Sequence, residues 1–219
     1  IRLSTIPVVL NEGSLRIARE INSSSCIVTA YIPPQKPEPL PSKTKEDILA
    51  LKQRVTLTIA TCAYAFAQDN DGRETYGISE LAALLAKYPN IGFVLSDPSG
   101  QYADYFRSNA TVLKDNILII TGPHSFFEVL RLSDLFVRNT TTDGDSLSVR
   151  EALALNKKVF ATSVVSRPEG VELFHSIEEF EERLLKLDTS RQYLANQPEN
   201  ANLVKLYADL YFAVSDRQS

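Results

Sequence analysis

Methionine and tryptophan are absent from this sequence, and cysteine and histidine occur twice each. Cys26 and Cys62 are too few for a disulfide scaffold and lie in apolar surroundings, so they read as small core residues in a reducing, cytoplasmic compartment. His124 and His175, with no cysteine cluster beside them, give no zinc-ligand spacing. No apolar run approaches the roughly 20 residues a spanning helix needs, and the start has no signal pattern. Contact with the inner face of a plasma membrane stays open. Basic runs are missing too, and the formal net charge is −4 over 219 residues, which argues against nucleic acid as the main partner. A chain that opens at Ile1 without any methionine is expected to be a piece of a longer protein.

What is present is an ordinary globular balance, 44% apolar and 23% charged, enough to build a real core. Residues 32–42 carry five prolines and no apolar periodicity, as an extended linker would. Before them, residues 11–21 read as a helix and 26–31 as a strand, too little for an independent unit. After them comes a helix over 43–53 and then a regular alternation. Strands are expected at 55–60, 91–96, 116–121, 134–138 and 158–162, and helices at 77–87, 101–108, 125–132, 147–155 and 177–187. Ser125 with Glu128 and Ser176 with Glu179 are capping boxes at two helix starts. The alternation predicts an α/β fold, a Rossmann-like doubly wound parallel sheet with ligand space at the carboxyl edge of the strands. Residues 199–214 carry a helical apolar stripe. The expected organisation is therefore 1–42 as a remnant of an earlier domain plus linker, 43–190 as the Rossmann-like domain, and 191–219 as a helical tail.

The richest stretch runs from Asp134 to Gly170. Its first loop holds Thr140, Thr141 and Thr142 in succession, then Asp143, Gly144, Asp145 and Ser146, and leads directly into a helix starting near Leu147. Amides of a first helical turn are unpaired and carry the positive end of the helix dipole, so Asp145, Ser146 and Leu147 can hold a pyrophosphate through backbone alone. Gly144 permits close approach. Glu151 lies five residues beyond Ser146, about 7.5 Å along a helix, the right offset for a carboxylate to accept hydrogen bonds from a ribose.

Asp143 and Glu151 are eight positions apart, with Gly144 after the first and Ala152-Leu153 after the second, and this is similar to the E-x7-E motif (EGFGLxxxEAL) of the largest retaining GT-B glycosyltransferase family. LNKKVFATSV resembles that family's G-x-P-V-V-A-T strand, FFEVLRLSDLFV its l-x-x-l-y-x-x-a-D-l-f-v segment, and Tyr76-Gly77 through Pro89-Asn90 its K-G-x-x-x-L stretch. The similarity runs over residues 55 to 187, and T-D-G-D-S with R-P-E-G looks closest to the capsular and exopolysaccharide branch. The resemblance implies one half of a GT-B fold, with two Rossmann-like domains in the whole enzyme. A nucleoside diphosphate sugar would be held mainly by this C-terminal half, and a saccharide or lipid-linked acceptor by the missing N-terminal domain. No metal or other cofactor would be obligatory.

On the same resemblance Glu151 binds the ribose and Asp143 the hydroxyls of the donor sugar, while Thr142, Gly144, Asp145, Ser146 and Leu147 meet the phosphates. Gly122 and His124 fall at the nucleobase pocket, and Arg167 reaches the donor from the loop 163–170. The sequence also departs from the family. Asp143 replaces its first glutamate, Asp145 its phenylalanine and Ser146 its second glycine. Its phosphate-neutralising Gly-Arg and Lys are here Thr61-Cys62-Ala63 and Tyr76, leaving Arg73, Arg138 or Arg150 as substitutes.

Other readings stand beside this one. Asp143 or Asp145 can be simple helix caps and Glu151 a solvated helix residue. Asp143-Gly144-Asp145 also resembles the D-x-D metal motif of the single-domain glycosyltransferases, which binds Mg²⁺ or Mn²⁺. His124 and His175 can be surface residues without a role. A non-catalytic nucleotide-sugar-binding module and a GT-B-like sugar-nucleotide epimerase are the alternatives to a transferase.

Overall fold

The computed structural model describes residues 4–28, 31–34, 36–110 and 113–187. The expected helix over 199–214 lies outside them. The first elements are β1 (Val8–Val9), α1 (Glu12–Ile21) and β2 (Cys26–Ile27), whose two strands pair in parallel. Asn11 caps α1 by accepting the Ser14 amide at 2.8 Å. The strand expected over 26–31 is thus only two residues long, and the proline-rich residues 32–34 and 36–41 carry no regular structure, since proline supplies no ladder donor.

From α2 (Ser42–Lys52) onward strands and helices alternate: β3 (Leu57–Cys62), α3 (Ile78–Leu85), β4 (Ile91–Asp97), α4 (Gln101–Ser108), β5 (Ile117–Thr121), α5 (Phe126–Leu132), β6 (Leu135–Arg138), α6 (Leu147–Ala154), β7 (Lys158–Thr162), β8 (Val171–Phe174) and α7 (Ile177–Leu185). The six strands β3 to β8 form one parallel sheet in the order β5-β4-β3-β6-β7-β8. All seven residues of β4 are buried, as a strand covered on both faces must be. Alternate side chains divide between the faces: Ile59, Phe93, Leu95, Val137 and Phe160 pack with α3, α4 and α7, whereas Ala60, Val94, Phe136 and Val159 pack with α2, α5 and α6. The fold is therefore the doubly wound α/β sheet that the alternation predicts.

Two strands differ from expectation. β3 runs to Cys62, two residues past the expected end, because Thr61 and Cys62 pair with Leu95 and Ser96 of β4. β8 was not foreseen: it is an edge strand of four residues with Glu172 inside it, paired only to β7, and so lacks an apolar run. Both capping serines accept the expected amides, Ser125 from Glu128 and Ser176 from Glu179, although Glu179 reaches back to the His175 amide rather than to that of the cap itself. Sheet order reverses between β3 and β6. Their carboxyl ends, Cys62 and Arg138, meet there, at the topological switch point where the crevice of an open α/β sheet lies.

Candidate functional site

Arg138 closes β6, and the chain then crosses the crevice mouth as the loop 139–146. The loop is pinned from beneath. Thr140, 3% exposed, exchanges bonds with Thr162 at the end of β7: its amide donates to the Thr162 hydroxyl at 3.2 Å, and that hydroxyl donates to the Thr140 carbonyl at 2.8 Å. The Thr140 hydroxyl donates to the Thr142 carbonyl at 2.6 Å, and the Thr141 amide bonds the Thr75 carbonyl at 2.9 Å. Thr140 is thereby spent on loop shape, while Thr142 stands exposed. Asn139 packs against Gly77, where φ is +52° and an added Cβ would lie 2.3 Å from the Asn139 amide nitrogen. Only glycine fits there.

The loop delivers α6 with an open N-terminus. Ser146 occupies the cap position but makes no capping bond, its hydroxyl meeting that of Ser148 at 3.0 Å. Both aspartates pair with arginines. Asp145 pairs with Arg150 at 2.6 Å, and Asp143 receives four donors: Arg138 Nε at 3.1 Å and Nη2 at 3.3 Å, Arg167 Nη1 at 2.7 Å, and the Gly144 amide at 3.0 Å. Gly144 faces open space, with nothing within 4 Å of a Cβ built on it, and Leu147 is exposed. An acceptor arriving from outside meets the start of a helix whose cap serine makes no capping bond, at the positive end of the helix dipole.

Charge at the site is set by burial. Burial alone would raise the Asp143 carboxyl, but hydrogen bonds and charge from Arg138 and Arg167 outweigh it and hold the group below the usual carboxylate range. Glu151, one turn into α6, has no such help. It has no hydrogen-bond or ion-pair partner among the described residues, and burial pushes its carboxyl up to about 7. Tyr31 and Cys62 stand close enough to feel it: burial first, and the Glu151 charge second, push the Tyr31 hydroxyl up to about 12, and burial raises the Cys62 thiol. Tyr31 was not singled out from the sequence, and Cys62 was named there as a core residue and within Thr61-Cys62-Ala63 but not beside Glu151, since no local motif ties residue 31 or 62 to residue 151.

The other expected positions lie along the same edge. His124 follows β5, with Nδ1 donating to the Gly122 carbonyl at 2.7 Å and Nε2 against the Ser96 hydroxyl at 2.7 Å. Both ring nitrogens are thus engaged within the protein. They line a cleft of about 610 Å³ with Tyr64, Ser99 and Ser125, and the Tyr64 ring is 77% exposed. Of the substitute cations, Arg73 is paired with Asp69 and Asp71 on an exposed turn, and Arg150 is paired with Asp145. Arg138 is in the crevice itself, its guanidinium 4.8 Å from the centre of the Tyr76 ring and 3.3 Å from the Cys62 carbonyl. Arg167, 2% exposed in its side chain, also bonds the Thr162 carbonyl at 3.1 Å. Among the described residues no group of three or more histidines, cysteines and carboxylates is placed to hold a metal ion, and no helix is long and apolar enough to cross a membrane.

No family model and no curated protein matches the sequence. Solved structures match in fold. HepE from Anabaena, solved in complex with UDP, aligns over 98% of this chain and 65% of its own length, with a TM-score of 0.66 and 14% identity. The GtfA/B complex aligns over 96% of this chain and 46% of that one, with a TM-score of 0.64 and 13% identity. Sucrose-phosphate synthase from Thermosynechococcus elongatus aligns over 97% and 60%, with a TM-score of 0.61 and 16% identity. The chain spans about half the length of several matches: 46% of the GtfA/B chain, 43% of TarM and 53% of the trehalose-6-phosphate synthase OtsA. At such identities the likeness is one of fold: the six-stranded parallel sheet and its helices match one Rossmann-like half of a GT-B architecture.

Proposed function

We propose that this chain is the donor-binding part of a retaining glycosyltransferase. It takes a nucleoside diphosphate sugar, whose sugar passes to a saccharide or lipid-linked acceptor held by a preceding domain. In this reading residues 1–42 belong to that earlier domain and its linker, 43–190 bind the donor, and 191–219 are a C-terminal tail. The observation that carries the proposal is the conjunction at the switch point. Glu151, without a hydrogen-bond or ion-pair partner among the described residues, sits one turn into α6, whose cap serine makes no capping bond, and Arg138 stands at the end of β6. Ribose hydroxyls supply the donors that Glu151 lacks, and the dipole of α6 favours a diphosphate at its start. The cleft at Tyr64 and His124 extends from the same edge and has room for a base.

Related folds support the donor class. HepE has been solved with UDP-glucose, TarM with UDP and alpha-GlcNAc-glycerol, and WaaG is a glycosyltransferase involved in lipopolysaccharide biosynthesis. A role in capsular or other surface polysaccharide synthesis, at the cytoplasmic face of a membrane, extends the same reading. Because Asp143 and Asp145 are both committed to arginines, the diphosphate is neutralised by protein groups rather than by a metal held at D-x-D. Calorimetry with uridine, guanosine, adenosine and thymidine diphosphates tests this, with Glu151→Gln as control. One diphosphate should bind with a single stoichiometric site that the variant weakens about tenfold, as expected when a charge-assisted hydrogen bond is lost. Absence of any binding contradicts it.

One observation favours a second reading, a binding module without turnover: Tyr76 and Thr61-Cys62-Ala63 place no cation where diphosphate-binding lysine and arginine are expected. Binding by the full-length protein without donor consumption decides for the module.

A further inference from the structure

We infer that Asp143 is a positioning residue, holding Arg138 and Arg167 together, and that these two arginines provide the positive charge for the β-phosphate of the donor. The inference rests on the donor-binding reading and assigns Asp143 a different task from direct contact with the sugar.

A carboxylate offers about four lone-pair sites, and all four at Asp143 are taken. Oδ1 accepts from Arg138 Nη2 and the Gly144 amide, and Oδ2 accepts from Arg138 Nε and Arg167 Nη1. Its side chain is 8% exposed. A sugar hydroxyl would have to displace an arginine to be read. The two guanidinium groups, by contrast, have donors to spare. Each carries five N–H bonds; Arg138 uses three, on Asp143 twice and on the Cys62 carbonyl, and Arg167 uses two, on Asp143 and the Thr162 carbonyl. Nη2 of Arg167 is buried with no hydrogen-bond partner, an arrangement that costs stability unless an acceptor arrives.

The charge does not cancel. Two guanidinium groups against one carboxylate leave a net positive unit at the carboxyl ends of β6 and β7, beside the start of α6. Tyr76 fixes Arg138 from the other side through ring stacking, which a lysine at that position could not do. The cation that is missing at the start of α3 is thus present on β6, one strand across the switch point. A planar, doubly hydrogen-bonded pair of arginines suits phosphate oxygens.

The test compares nucleoside diphosphate with the matching monophosphate, by calorimetry on the full chain, in the parent and in Arg138→Gln, Arg138→Lys, Asp143→Asn and Asp143→Glu. The melting temperature of each variant verifies folding, and Arg138→Lys and Asp143→Glu keep charge where the amides disrupt packing. In the parent the β-phosphate should strengthen binding about tenfold or more. Arg138→Gln and Asp143→Asn should cut that gain to within about threefold while monophosphate affinity is kept, and Asp143→Glu should restore part of it. An unchanged gain in Arg138→Gln overturns the inference. So does an Asp143→Asn variant that weakens only the sugar nucleotide relative to the diphosphate. A parent that binds neither nucleotide removes the donor-binding reading as well.

Discussion

Glu151 gives the fold a pH dependence set by burial. Its carboxyl lies near 7 in the folded chain against an ordinary value of 4.5, so between those pH values the folded state holds a proton that the unfolded state has released. Stability therefore falls as pH rises from 4.5 and is lowest above about 7, where the carboxyl ionises in the fold. Glu151→Gln removes that slope. Chemical denaturation at pH 5 and pH 8 should show the variant gaining on the parent at pH 8 and not at pH 5; a constant difference would mean the group is solvated. Ligand affinity runs the other way. In the proposed donor-binding role the ionised carboxylate would accept both ribose hydroxyls, so nucleotide binding should strengthen as pH rises through 7 in the parent more than in Glu151→Gln, measured by calorimetry. These properties belong to burial, and a sequence displays the residue but not its surroundings. Glu151 was legible as a candidate from its place in the helix; the four donors on Asp143 were not, because Arg167 is 24 positions away and is brought in by the pairing of β6 with β7.

Single turns and helix ends hold the site in shape. Gly77 begins α3 in the left-handed region, with the Glu74 carboxylate accepting the amides of Ile78 and Ser79 at 2.6 and 3.1 Å. Gly77→Ala meets both a strained φ and the Asn139 side chain, so it should cost about 1–3 kcal/mol and shift the loop 139–146. Thermal unfolding and diphosphate affinity should fall together; loss of stability with unchanged affinity would separate α3 from the site. Away from the crevice, Asn116 is 5% exposed and its side-chain nitrogen donates to the carbonyls of Leu85, Tyr88 and Ile91 at 3.0, 3.1 and 2.7 Å. It ties the end of α3 and the start of β4 to β5. Asn116→Ala should destabilise by about 2 kcal/mol and leave the nucleotide dissociation constant within about twofold. Unfolding midpoints and titration of the folded variant check both halves.

At the scale of the whole molecule, periodicity was enough to expect the five strands β3 to β7 and the helices between them, because each strand is an apolar or β-branched run, with β3, β4, β6 and β7 largely buried and β5 half-buried at the edge. β8 escaped because an edge strand with Glu172 inside it needs no such run. β1, two residues long, is too short for periodicity to register, and β2 covers only two of the residues expected over 26–31. β3 was placed two residues early because threonine and cysteine at its end look like a loop until their pairing with β4 is known. That misplacement matters for the site, since the strand end is where Cys62 and Arg138 meet. The doubly wound order then leaves one edge at which Glu151, Arg138, the start of α6 and the cleft at Tyr64 converge, which is the claim on which the proposed function stands. Amide hydrogen exchange of the full chain with and without saturating nucleoside diphosphate tests it most directly. Slowed exchange concentrated at residues 144–151, with a second protected patch at 122–125, is the predicted result; no slowing at these residues while the nucleotide is bound would contradict it.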